Sequence, residues 1–186
     1  MKVERRVNEI LKAEGSKLPA LAKTPFEKDK KRRDPTEVVA LLNALTDVSV
    51  DDFDSRLKLQ KLSYLAWAVG LNYGLAFNWY VRGPYSPTLT RILFNARDLG
   101  TLQRERVQLR ENEKKAVRKL KRFLGKDISD PRSLELIASV WYFLPPGEVT
   151  GKQKKEVIER VRAEKPELRL REIEETVNRI LRFTGR

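Results

Sequence analysis

The chain has 186 residues, of which 35% are charged and 40% hydrophobic, and its formal net charge is +13. It contains no cysteine and no histidine, which excludes disulfides, zinc-finger ligands, thiol nucleophiles and every catalytic triad that uses imidazole as its base. Because no apolar run is long enough to cross a membrane and the first residues are charged throughout, we expect a cytoplasmic protein without membrane, metal or cofactor. The abundance of Lys, Arg and Glu also hints at a thermophilic source.

Residues 1–34 are predicted to form a basic N-terminal arm, partly flexible, ahead of a domain that spans 35–186. "VNEILKA" could form a short helix, but Gly15, Pro19 and Pro25 interrupt the segment that follows it, and a run of cations comes next. This arm is either a solvated extension or an electrostatic contact for nucleic acid. The candidate contacts are Lys30, Lys31, Arg32 and Arg33.

The first two helices of the domain are predicted from capping signals. Asp34 and Pro35 mark the start of a helix that ends near Thr46. The second helix is capped by one of three acids and ends by Gly70. Its apolar residues occupy more than one face, so we expect it to be central and largely buried; they are Phe53, Leu57, Leu59, Leu62, Leu65, Ala66 and Val69, and the candidate caps are Asp51, Asp52 and Asp54.

A short strand is predicted in "LAFNWYVRG", where Phe77, Trp79 and Val81 alternate with polar neighbours. "GPYSP" then turns the chain, and Ser86 with Pro87 starts a helix. That helix carries an apolar stripe and ends at Gly100. "TLQRERVQLRE", residues 101–111, is expected to be a second extended segment that pairs with the first strand.

Residues 100–126 carry a net charge of +7, and "NEKKAVRKLKRFLG" within them predicts an amphipathic basic helix. Its cations could lie along a phosphate backbone and add salt-sensitive affinity, or simply face solvent while the apolar side packs on the core. Both interpretations stay open. The candidate nucleic-acid contacts are Lys114, Lys115, Arg118, Lys119, Lys121 and Arg122.

Three further helices complete the domain. Asp130 and Pro131 start the first, and two more cover about 151–164 and 169–183. The last two could mimic a helix-turn-helix, but acids near the start of the second would repel phosphates, so we favour a structural hairpin. The expected fold is mainly α (α+β), with about six helices, a small two- or three-stranded β element and a basic N-terminal extension.

Nothing in the sequence assembles the roles that catalysis needs. "DVSVDDFD" is the only dense acidic cluster, and helix capping accounts for it. There is no phosphate-cradling loop and no dinucleotide-binding turn. We therefore expect a protein that is not an enzyme.

Two motifs give the chain a resemblance to a known family. Leu59, Gln60, Lys61 and Leu62 are followed by an aromatic, and "YVRGPYS" opens the next helix. In this pattern the chain resembles the Panacea, or SocA-like, domain family over roughly residues 35–183. The resemblance implies a mostly helical, non-catalytic domain. It also implies an antitoxin that neutralises a partner protein in a toxin–antitoxin system, or a proteolytic adaptor.

The two motifs allow two physical interpretations. Gln60 and Lys61 lie on a mostly buried helix and need polar partners, which the backbone carbonyls of the 83–86 turn can supply, making one structural lock. Alternatively, a shared surface recognises a partner protein through aromatics and cations. We expect an antitoxin-like interaction module, with a nucleic-acid-binding protein as the alternative. The candidate partner contacts are Lys61, Tyr64, Trp67, Tyr80, Arg82 and Tyr85.

Overall fold

The computed structural model describes residues 34–71, 73–103 and 109–186. Seven α-helices and one two-stranded antiparallel sheet make up this part of the chain, which confirms the expected mainly α class with a small β element. The cations predicted in the N-terminal arm, Lys30, Lys31, Arg32 and Arg33, lie outside the described residues.

The helices begin where capping predicts. Asp34 caps α1 (Pro35–Leu45), and Asp52 caps α2 (Phe53–Ala68) by accepting from the Ser55 amide. Ser86 caps α3 (Pro87–Asp98). The basic helix is α4 (Glu111–Leu124), which a 3₁₀ turn (Gly125–Ser129) joins to α5 (Pro131–Phe143), capped by Asp130. The chain closes with α6 (Gly151–Glu164) and α7 (Leu170–Thr184).

The core is built around α2 and α5, which pack on each other. Helix α2 is buried on all sides through its middle, as its apolar pattern predicts. Helix α5 also contacts α6, α7 and the sheet, and its core residues Leu134, Ile137, Ala138 and Trp141 are buried. This central pair provides the rigid support for the β-hairpin.

The sheet differs from its prediction in its second strand. Strand β1 (Asn78–Tyr80) pairs with β2 (Gly83–Tyr85), in the register Trp79 opposite Pro84. The expected partner was wrong: residues 101–103 form no strand, and 104–108 lie outside the described residues. The first strand pairs with the segment directly after it, because Gly83 adopts a φ of +82° and the chain can reverse within two residues.

Two apolar residues that belong to the predicted strand and to the predicted buried helix are exposed. Val81 was predicted to lie in the strand, but the strand ends at Tyr80 and Val81 occupies the turn, 76% exposed. Phe53 was placed among the buried residues of the second helix, yet it is the first residue of α2 and is 54% exposed. A helix terminus and a hairpin turn both project beyond the core, so the alternating pattern stops applying there.

Candidate functional site

The β-hairpin is fixed to α2 by the side chain of Gln60. Its amide nitrogen donates to the Ser86 carbonyl at 3.1 Å, and its amide oxygen accepts from the Ser86 N–H at 2.9 Å. The same nitrogen donates to the Thr90 hydroxyl at 2.9 Å. Gln60 and Ser86 are both buried, so these bonds satisfy backbone groups that water does not reach. The predicted lock between the two motifs is confirmed.

Lys61 supplies the second half of the lock. Its Nζ donates to the Pro84 carbonyl at 2.8 Å, and the residue is 1% exposed. Burial lowers the pKa of this ammonium to about 7, an effect that the charges of Lys165 and Arg82 reinforce and that of Glu135 opposes. Among the described residues Lys61 forms no ion pair with a carboxylate.

A second network holds the hairpin from the side of α5. Glu135 accepts from the Lys165 ammonium through one oxygen and from the Arg82 guanidinium, at 3.2 Å, through the other. Lys165 also donates to the Val81 carbonyl at 2.7 Å. Glu135 and Lys165 are buried. Sequence reasoning missed both; the signal for Glu135 was an acid inside the apolar run "SLELIASVWYFL", whereas nothing in the sequence marked Lys165.

Between α2, the hairpin and α3 lies a cavity of about 240 Å³. Its wall is largely apolar, with Leu57 and Leu93 among the buried residues of the lining. Gln60, Lys61 and Gly83 also line it, so the two motifs of the lock form part of this wall. No carboxylate belongs to the lining, although three cations do: Arg56, Lys61 and Arg82.

Three large apolar side chains stand exposed around this cavity. Phe53, Tyr80 and Val81 are 54%, 63% and 76% exposed, and all three belong to the cavity lining. We call these three residues the rim. Within the described residues, the other large hydrophobic side chains with such exposure are Leu99 and Leu170, which line no part of the cavity. Clustered exposed apolar groups mark interaction sites, whereas single ones do not.

The predicted partner contacts separate into two groups. Tyr80, Arg82 and Tyr85 line the cavity; Tyr80 lies 5.6 Å from the Tyr85 ring, and Tyr85 shares a hydrogen bond with Thr90. Tyr64 and Trp67 do not line it.

Tyr64 is 2% exposed and packs on the rings of Trp67, Phe77 and Tyr142 in the core. Burial raises its pKa. Trp67 is partly buried against the core as well. A surface role for Tyr64 was therefore wrong, because its ring is buried in the core. Lys61, the remaining candidate, is buried as well but belongs to the cavity lining.

Helix α4 exposes its cations as predicted, while Val117, Leu120 and Leu124 anchor it to the core. Lys114 pairs with Glu111 at 2.7 Å, and Lys121 donates to the Ala44 carbonyl at 3.0 Å. Lys119 lies 4.8 Å from the centre of the Phe183 ring. In the part of the chain that the structure describes, the remaining three cations form no hydrogen bond, ion pair or ring contact; these are Lys115, Arg118 and Arg122.

Comparisons with protein-family models, with curated proteins and with solved structures return no match for this chain. The resemblance to the Panacea family therefore stays a prediction carried by the two motifs. Among the residues described, no helix is both long enough and apolar enough to cross a membrane, and no cluster of acids has the makings of a metal site.

Proposed function

We propose that this protein is a non-enzymatic interaction module that binds a partner protein through the cavity and its rim. The observation that carries the proposal is the gathering of Phe53, Tyr80 and Val81 around one apolar cavity. Leaving three large apolar side chains in water has a free-energy cost that a partner would remove. Aromatic residues beside an arginine are also typical of the anchors that dominate binding energy at protein interfaces.

The size of the cavity favours a protein partner over a cofactor. About 240 Å³ lies below the range of roughly 300 to 1,000 Å³ that sites for drug-sized ligands occupy. Such a volume suits a single inserted side chain, and the exposed rim then provides the surrounding contact area. The lock that Gln60 and Lys61 form in the cavity wall supports this use, because a pre-organised surface loses little entropy on binding.

We further propose that binding neutralises the partner, as in a cytoplasmic toxin–antitoxin pair. This part of the proposal draws on the resemblance of the two motifs to the Panacea family. It is tested by expressing the captured partner alone and together with this chain. Growth arrest by the partner alone, relieved on co-expression, is the expected result; a partner without any effect on growth contradicts the antitoxin role.

The binding role itself is tested by affinity capture from an extract of the source cells, treated with nuclease. The wild-type chain is compared with a Tyr80→Ser, Val81→Ser double variant and with Leu99→Ser as the control. Val81 and Leu99 are matched in exposure, at 76% and 74%, but only Val81 lines the cavity. We expect one protein to be captured by the wild type and the control and lost with the double variant. Equal capture by all three would reject the rim as the binding surface.

A second candidate, nucleic-acid binding, is favoured by three exposed cations of α4 to which the described residues offer no hydrogen bond, ion pair or ring contact: Lys115, Arg118 and Arg122. If they contact phosphates, the slope of log K against log salt should fall by about one for each cation replaced. Substituting all three with Gln should therefore reduce the slope by about three. Absence of RNA and DNA binding at physiological salt would remove this candidate.

A further inference from the structure

The cations that line the cavity differ in their partners and in their burial, and Lys61, at 1% exposure, is the buried one. Arg56 donates to the carbonyls of Val50 and Asp51 at 2.8 and 3.2 Å, and Arg82 is paired with Glu135. Lys61 makes one hydrogen bond, to the Pro84 carbonyl. An ammonium group has three donors and no acceptor. Lys61 is thus a buried cation in the cavity wall with donors to spare.

The surroundings of Lys61 do not neutralise it. The charged groups that act on it are Glu135 from α5, Lys165 from the turn after α6, and Arg82 from the hairpin. Glu135 is the one carboxylate of the three, and both of its oxygens are engaged, with Lys165 and with Arg82. The positive charges therefore outnumber the negative charge around this side chain. A buried ammonium without a counter-ion is unfavourable, so an anion that entered the cavity would be held strongly.

We propose that the cavity binds the carboxyl-terminal residue of the partner protein, with its apolar side chain inside the cavity and its α-carboxylate hydrogen-bonded to Lys61. The apolar part of the ligand packs against Leu57, Leu93 and Phe94. This inference rests on the proposed function, since it names the group of the partner that the cavity receives.

A carboxyl-terminal residue fits these constraints because it carries an apolar side chain and a free carboxylate on one Cα atom. A cavity of about 240 Å³ holds an apolar side chain and a carboxylate together only if both are attached to the same residue. The side chain of Asp or Glu would bring a carboxylate without an apolar body to fill the wall around Leu57 and Leu93. Recognition of terminal carboxylates by dedicated sites is an established mode of peptide binding.

The test uses the purified full chain and two probes that differ only in the terminal group, the carboxylate of N-acetyl-phenylalanine and the neutral carboxamide of N-acetyl-phenylalaninamide. Their affinities are measured by calorimetry at about pH 6.5. We expect the acid to bind at least about tenfold more tightly than the amide, the loss typical of one charge-assisted hydrogen bond. Equal affinities, or no binding of the acid, would overturn the proposal, and this comparison needs no variant that has to fold.

Two variants then assign the preference to one side chain. Lys61→Met should abolish the preference for the acid, whereas Lys58→Met, three residues away on the same helix, should retain it. Retention of the preference in Lys61→Met would overturn the assignment. The preference should also shrink as the pH rises from about 6.5 to 9, because a neutral amine does not attract a carboxylate.

A third probe separates a protein terminus from a free metabolite-like acid. 3-Phenylpropionate has the ring and the carboxylate but lacks the acetylated backbone nitrogen of a peptide end. Tighter binding of 3-phenylpropionate than of N-acetyl-phenylalanine would overturn the choice of a protein terminus. Because these titrations contain no partner protein, their failure is distinguishable from failure of the capture experiment that tests the proposed function.

Discussion

The buried ammonium of Lys61 should make the free energy of unfolding of the whole protein depend on pH between about 7 and 10.5. The side chain is 1% exposed, and burial lowers its pKa from 10.5 to about 7. Between these two values the unfolded chain binds more protons at this residue than the folded chain does. The free energy of unfolding must therefore rise as the pH increases from about 7 to 10.5. Below about pH 7 both states hold the proton, so Lys61 adds no further pH dependence.

The size of the effect follows from the two pKa values. One pKa unit corresponds to about 1.4 kcal/mol, so the protonated Lys61 lowers the free energy of unfolding by roughly 5 kcal/mol at acidic pH. Raising the pH from about 7 to about 9 should restore about 2 kcal/mol of this. Histidine and cysteine side chains do not add to this pH dependence, because the chain contains neither residue.

The assay is urea denaturation at a series of pH values for the wild type, Lys61→Met and Lys58→Met. We expect the free energy of unfolding of the wild type and of Lys58→Met to rise by about 2 kcal/mol between about pH 7 and pH 9. Lys61→Met should lack this rise. Parallel curves for the wild type and Lys61→Met would refute the account of Lys61 as a buried cation without a counter-ion.

Two further predictions concern the packing of the hairpin. Gly83→Ala should destabilise the fold by more than Gly147→Ala: both glycines have a φ near +80°, but a Cβ at 83 would lie 2.7 Å from the Ser139 hydroxyl oxygen, whereas at 147 it meets nothing. Urea denaturation should show a loss of about 1 to 2 kcal/mol in the free energy of unfolding for Gly147→Ala. The loss for Gly83→Ala should be larger, and adding Ser139→Ala should restore part of it. Equal losses for the two glycine variants would contradict the clash. Gln60→Met should cost about 2 to 4 kcal/mol by leaving buried hairpin backbone groups unpaired. Gln103→Met, at an exposed residue that makes one long hydrogen bond of 3.4 Å to the Val48 carbonyl, should cost less than about 1 kcal/mol. A similar loss for both variants would contradict the lock.

Much of the fold was predictable because local chemistry decides it. The Asp-Pro and Ser-Pro steps define helix starts, and the structure places Asp34, Ser86 and Asp130 at the predicted caps. The lock was predictable for a different reason. A glutamine and a lysine in the middle of an apolar helix must find polar partners, and the carbonyls of the Gly-Pro turn were the nearest candidates in the motif.

The cavity and its rim were not predictable, because they depend on how elements end. Phe53 and Val81 continue apolar patterns in the sequence, but a helix start and a two-residue turn place them outside the core. The ion network around Glu135 joins residues 53 and 30 positions apart in the chain, to Arg82 and to Lys165. Pairings over such separations leave no local signal.

The central claim is that a partner protein binds over the cavity, and site-specific photo-crosslinking tests it most directly. A photoreactive amino acid is placed at Val81 in one sample and at Leu99 in another, two positions matched in exposure. Each variant is expressed in the source cells and irradiated there. The account predicts one discrete crosslinked protein from position 81 and none from position 99. The same crosslinks from both positions, or a product from position 99 alone, would contradict it.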